Sequence, residues 1–169
     1  MKKSIFSILI AFISFVASAQ EFKGLDNIPM KTDADFRQAE STIKDCVKYI
    51  LGHPISSDDA SGKNASRFLI IWMTGTPDYS FAVDADFVKY SKKNEGLTAV
   101  IMAAMAKAVL DKPELNKDPK ALKIAAFKLV AEYCADTKNK VTQTSDIKKL
   151  IDANKKGKVE SVLDMTTGK

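Results

Sequence analysis

Apolar residues recur at steps of three and four through most of the chain and alternate at steps of two in only one short place. Phe36, Ala39, Ile43, Cys46, Val47, Ile50 and Leu51 trace one stripe of a helix. Thr32 stands where it can cap that helix, with Asp33 and Asp35 favourable to the dipole of its first turn. Gly52, His53 and Pro54 mark its end. A second start is expected at Ser56, where Ser56 and Asp59 have the spacing of a capping box, although Gly62 weakens the turns that follow.

The next apolar run, Phe68 to Met73, is too short to distinguish a strand from a helix by length. Tyr79, Phe81 and Val83 alternate, so one reading is a hairpin turning at Thr76-Pro77-Asp78. The favoured reading is a helix to about Thr74 followed by an extended piece, because the surroundings are helical and two strands alone are marginally stable. On that reading "WMTGTPDYSF" is a helix terminator. Phe68, Ile71 and Trp72 share the buried face, and Gly75 takes the left-handed conformation past the helix end. Pro77 blocks continuation, and Tyr79 and Phe81 fold back on the core. The alternative makes Asp78 and Tyr79 an exposed tip that binds a partner.

Asp84 can cap a short helix holding Phe87, Val88 and Tyr90. Residues 97–110 are apolar almost all round, which predicts a central helix enclosed by the others. Asp118 and Pro119 open a helix whose expected buried stripe is Leu122, Ala125, Ala126, Leu129, Val130, Tyr133 and Cys134. Lys120, Lys123 and Lys128 are expected outside that stripe. Thr144 or Ser145 caps another helix, which ends at Lys155-Lys156-Gly157, and Val159, Val162 and Leu163 form a last short piece. The pattern predicts an all-α single domain over residues 32–164, an antiparallel bundle of about five main helices and two short ones around 97–110. Residues 20–31 are expected to be an irregular arm and 165–169 a frayed tail. A TPR-like helical array is the second reading, weakened by uneven spacing between the stripes.

The N-terminus changes the picture of where this bundle works. Lys2 and Lys3 precede an apolar stretch from Ile5 to Val16, and Ala17-Ser18-Ala19 follows. These are the parts of a secretory signal peptide over 1–19, cleaved between Ala19 and Gln20. The stretch is shorter than the ~18 to 20 residues of a spanning helix. The expected location is the periplasm or the extracellular space, with no membrane span in the mature chain. The formal charge of +5 falls to +3 once Lys2 and Lys3 are removed. Arg37 and Arg67 are the only arginines, and the lysines after Thr137 lack interleaved aromatics. A solvated helical face accounts for them better than a nucleic-acid patch does.

Candidate chemistry is sparse. His53 is the only histidine and sits at a helix end, where it can meet the last carbonyls. No CxxC or HxxxH suggests a metal, and no GxGxxG, P-loop or G-x-S-x-G implies a cofactor or a nucleophile. The acidic pairs Asp33/Asp35, Asp58/Asp59 and Asp84/Asp86 each fall where a helix begins, so capping explains them. Cys46 and Cys134 could form a disulfide after export, or each could pack as a free thiol on its own stripe.

With its "WMTGTPDYSF" segment, its alanine-rich helix and its proline-capped "FKLVAEYC" helix, the chain resembles a group of small exported bacterial helical proteins. These carry a W-M-x-G-T-P-D-Y segment after an amphipathic helix. The resemblance implies a helical fold and brings no activity or catalytic residue. The expected function is non-catalytic binding of another envelope protein or an apolar ligand. A periplasmic hydrolase using paired carboxylates and a structural envelope component are the rivals.

Overall fold

The computed structural model describes residues 22–165, apart from 55, 57 and 95. The expected signal peptide, the cleavage point between Ala19 and Gln20, and residues 166–169 lie outside the described residues. Among the described residues six α-helices form: α1 (Asp33–Gly52), α2 (Ala60–Gly75), α3 (Ala85–Ser91), α4 (Leu97–Asp111), α5 (Pro119–Ala135) and α6 (Ser145–Lys155). Among the same residues there is no strand, and short 3-10 turns lie at Leu25–Asn27, Pro113–Lys117, Thr137–Asn139 and Val159–Val162.

Local chemistry explains the boundaries. At the start of α1 the Thr32 hydroxyl accepts from the Asp35 amide at 3.3 Å, and the Asp35 carboxylate accepts from the Thr32 amide at 2.8 Å. This reciprocal pair satisfies two donors that a helix start leaves open. The cap of α2 is Asp59 rather than Ser56. Its Oδ1 accepts from the Gly62 amide at 2.9 Å and from the Tyr49 hydroxyl at 3.0 Å, so the helix starts later than the Ser56 spacing suggested. Asp84, Asp118 and Thr144 cap α3, α5 and α6 through their side chains.

The 68–73 run is helical, which removes the hairpin alternative. Two details of this region differ from the sequence expectation. Ile71 lies on the outer face with Ile70, whereas Phe68, Leu69 and Trp72 are buried. A helix advances about 100° per residue, so Ile71 stands a quarter-turn away from Trp72. Gly75 does not take a left-handed conformation; it is the last residue of α2, and the positive φ angles belong to Gly24, Gly96, Gly157 and Lys140. The helix ends because Thr76 precedes Pro77, which drives it to extended backbone, φ −62° and ψ 130°. Glycine is required at 75 for a different reason: a Cβ there would overlap the Phe36 ring.

α4 is the centre of the bundle. Leu97, Val100, Ile101, Ala103, Ala104, Met105, Ala106, Ala108 and Val109 are all buried, and α1, α2, α3 and α5 pack on it. Its alanines let those four helices approach closely. A solenoid unit would touch only its sequence neighbours, so enclosure of α4 favours the bundle over the array. The segment read as an irregular arm has no α-helix, yet it is anchored. Phe22 and Leu25 are buried, the Phe22 ring meets Tyr49 edge-on at 5.4 Å, and Asn64 donates to the Phe22 carbonyl at 3.1 Å.

Candidate functional site

Trp72 fixes the course of the chain beyond α2. Its indole is fully buried and donates to the Phe36 carbonyl at 3.0 Å. The rings of Tyr79 and Phe81 return to it at 5.7 and 6.0 Å, as the terminator reading expected. Asp78 is held by a two-pronged bond from Arg37, Nε to Oδ2 at 2.7 Å and Nη2 to Oδ1 at 3.0 Å. The hydrogen bonds from Arg37 keep the Asp78 carboxyl below the usual carboxylate range. Burial, and then the charges of Glu40 and Asp78, push the Tyr79 phenol up. Asn116, in the turn between α4 and α5, donates to the Asp78 carbonyl and accepts from the Ser80 amide, both at 2.9 Å. Residues 76–84 are therefore strapped across the α4–α5 corner.

Under that strap lies a chamber of about 120 Å³. The strap contributes Ser80, Ala82 and Asp84, α3 contributes Phe87, and α4 contributes Ile101 and Met105. Leu122, Lys123 and Phe127 close it from α5, with Asn116 and Pro119 at the corner. The wall is mostly apolar, and its charged part is one cluster.

Lys123 is the core of that cluster and is only 7% exposed, although the sequence pattern placed it on the outer face of α5. Its ammonium meets Asp84 Oδ2 at 2.7 Å and Asp86 Oδ2 at 2.6 Å and also donates to the Asp164 carbonyl. Asp86, 2% exposed, accepts from the Asp164 amide at 2.6 Å and has Lys89 at 3.6 Å from its other oxygen. Asp84 uses its remaining oxygen to cap α3, accepting from the amides of Asp86 at 3.0 Å and Phe87 at 3.3 Å. Beside them the Tyr90 hydroxyl donates to the Val162 carbonyl at 3.0 Å. Burial, aided by the charges of Asp86 and Asp146, pushes the Tyr90 phenol well above its ordinary value. Burial of Lys123 works against its charge, but hydrogen bonds and attraction from Asp84 and Asp86 outweigh it and raise its pKa. Three of the four carboxylate oxygens accept hydrogen bonds or a close ammonium contact, and the fourth, Asp86 Oδ1, faces the Lys89 ammonium at 3.6 Å; a buried charge cluster of this kind persists only when its members are compensated.

The Asp84/Asp86 pair was legible as a helix start, but its buried partner was not. A clue was available in Phe127, which lies outside the predicted stripe, four residues beyond Lys123 and eight beyond Pro119. These three positions share a face of α5, and that face lines the chamber.

The other candidates are structural in their surroundings. The His53 ring stacks on Tyr49 at 4.2 Å, its Nδ1 bonds the Tyr49 carbonyl at 2.9 Å, and its own carbonyl accepts from the Tyr133 hydroxyl at 2.9 Å. Cys46 and Cys134 are both buried free thiols, so the disulfide considered from the sequence is not formed. Each instead packs in the apolar stripe of its helix, and burial pushes each thiol up to about 12. Among the described residues no group of three or more metal-capable side chains comes together, and no helix is long and apolar enough to cross a membrane. No protein-family model, curated protein or solved structure matches the chain.

Proposed function

We propose that this is an exported, non-catalytic binding module that takes a small apolar ligand into the chamber between α3, α4 and α5. The chamber itself is the observation that carries the reading. At about 120 Å³ it is close in size to an engineered apolar cavity of ~150 Å³ that stays dry and binds benzene. Phe87, Ile101, Met105, Leu122 and Phe127 offer dispersion contacts to a single ring or a short branched alkyl group. Export is supported by the charged, apolar and small-residue sequence of residues 1–19.

The hydrolase rival would need a carboxylate free to handle a proton near its substrate. Asp84 is the acid that lines the chamber, with Asp86 buried beside it on Lys123, and their oxygens are engaged by Lys123, Lys89 and backbone amides. That favours binding over hydrolysis. A purely structural envelope component would have no use for a ligand-sized void beside a satisfied charge cluster.

Titration with benzene and indole, followed by thermal unfolding, tests the reading. A ligand at 100 times its Kd should stabilise the protein by about 2.7 kcal/mol. Met105→Trp, which fills the void, should abolish the shift. Absence of any shift in the folded wild type would overturn it.

A further inference from the structure

Independently of the chamber, we propose that the surface around the last turns of α4 is a docking site for an acidic amphipathic helix of a partner protein. Two grooves run on either side of this stretch, of about 410 Å³ between α1 and α4 and about 490 Å³ between α4 and α5. They share Lys107 and Asp111, so together they form one surface with an α4 ridge along its middle. The floors are apolar. Val47, Leu51 and Leu110 line the first groove, and Ile124, Ala125 and Leu129 line the second. Only Val47 of these is buried; the rest are half-buried.

The rim is strongly one-signed. Lys44, Lys48, Lys107, Lys112 and Lys128 surround the two grooves, and Asp111 is the one acid among the lining residues. Asp111 is already matched by Lys107 at 2.8 Å. Lys44, Lys48, Lys112 and Lys128 enter no ion pair among the described residues. Glu40 lies a turn from Lys44, and its charge is felt there, but it is outside the lining. A fold needing these lysines only for solubility would gain nothing from ringing one apolar surface with them. A partner with carboxylates flanking an apolar stripe satisfies both features.

The shape selects the partner's form. Side chains at i and i+3 or i+4 of a helix laid over the Lys107–Asp111 ridge can drop into the grooves on its two sides, the usual helix-in-groove mode. Carboxylates on the flanks of that helix would then meet Lys44 and Lys48 on one side and Lys112 and Lys128 on the other. A bilayer, being flat, would leave both grooves empty. Single-stranded nucleic acid would find neither arginine nor an aromatic platform among the lining residues.

The test uses a synthetic helical peptide of about five turns, with leucine at i, i+3, i+4 and i+7 positions and glutamate on both flanks. Controls are the same peptide with lysine for glutamate, phosphatidylglycerol vesicles, and an oligodeoxythymidine strand. The glutamate peptide should bind the purified protein, weaken with rising salt, and shift amide NMR signals of α1, α4 and α5 around the grooves. The double variant K48E/K128E should keep its melting temperature and lose about tenfold or more in affinity. The salt series on the unaltered protein gives the same answer without any variant. Failure of the glutamate peptide to bind, equal binding by the lysine peptide, insensitivity to salt, or preference for the vesicles or the oligonucleotide would each overturn the proposal.

Discussion

The ring of Phe36 occupies the space that a side chain at Gly75 would need. α1 and α2 are thereby locked at their α1-start and α2-end corner, with the Trp72 indole bonded to the Phe36 carbonyl from the same side. Gly75→Ala should destabilise the protein by about 1 to 3 kcal/mol through overpacking, after allowing ~1 kcal/mol for alanine's better helix propensity. The cause is separable from backbone strain. Combined with Phe36→Leu, which clears the space, the alanine should cost less than it does alone. Equal costs in both backgrounds, measured by urea unfolding, would remove Phe36 from the explanation.

Trp72→Ala should cost about 3 to 5 kcal/mol, because a fully buried indole leaves a cavity and its loss also frees Tyr79 and Phe81 from their anchor. Tyr79→Ala should cost less, since that ring is half-buried. The strap would loosen in either variant, so the response of unfolding to benzene or indole should weaken alongside stability. Unchanged melting of Tyr79→Ala together with loss of a partner's binding would instead make Asp78 and Tyr79 the recognition tip.

Lys123→Met should destabilise by about 3 to 5 kcal/mol, because Asp86 would remain buried without its close ammonium partner, leaving only Lys89 at 3.6 Å. The double variant K123M/D86L should recover part of that loss. The pH dependence has a definite sign. The folded pKa of Lys123 is raised, so its contribution is complete below the ordinary lysine value near ~10.4 and is lost as pH rises through the folded value. Tyr90, also raised, erodes stability in the same alkaline direction, beginning near the ordinary tyrosine value of ~10. Thermal scans from pH 8 to about 11.5 should therefore show a shallower alkaline decline in Lys123→Met than in the wild type. Parallel declines would mean that the pair is not coupled to folding.

Neither thiol should react with a thiol-specific disulfide reagent at pH 8 in the folded protein, since burial holds both near 12. In denaturant both should react. Intact mass should be the same with and without reductant; a difference of two hydrogens would show a bridge between Cys46 and Cys134.

The secreted form should begin at Gln20, read by intact mass or terminal sequencing. A full-length chain held in the membrane fraction would contradict a cleaved signal.

Helix positions were legible wherever the apolar stripe and its caps agreed. Thr32, Asp84, Asp118 and Thr144 each cap the helix that their local pattern announced. The enclosure of α4 followed from having no polar face to give to water. Legibility failed where a residue's role is set by a distant segment. Gly75 looked like a turn glycine because glycine is common past helix ends, while its actual constraint comes from Phe36, 39 positions earlier in the sequence. Lys123 looked solvated because no local pattern reveals that Asp84, Asp86 and Asp164 converge on it. The chamber itself depends on the strap crossing the α4–α5 corner, a relation between segments that periodicity cannot express.

The closing of the Lys123 cluster also sets an order in time. Asp86 takes the amide of Asp164, 78 residues further along the chain, and Lys123 takes the carbonyl of that same residue. Synthesis runs from the N-terminus, so the sequence of α1 to α5 is complete before residue 164 is added. Until then Asp86 lacks the Asp164 amide and Lys123 lacks the Asp164 carbonyl as partners. The native state is thus sealed from the rear, and a chain stopped before residue 159 should keep its helical circular dichroism yet melt earlier and with a broader transition. A truncation as sharply cooperative as the whole chain would show that the rear closure contributes nothing.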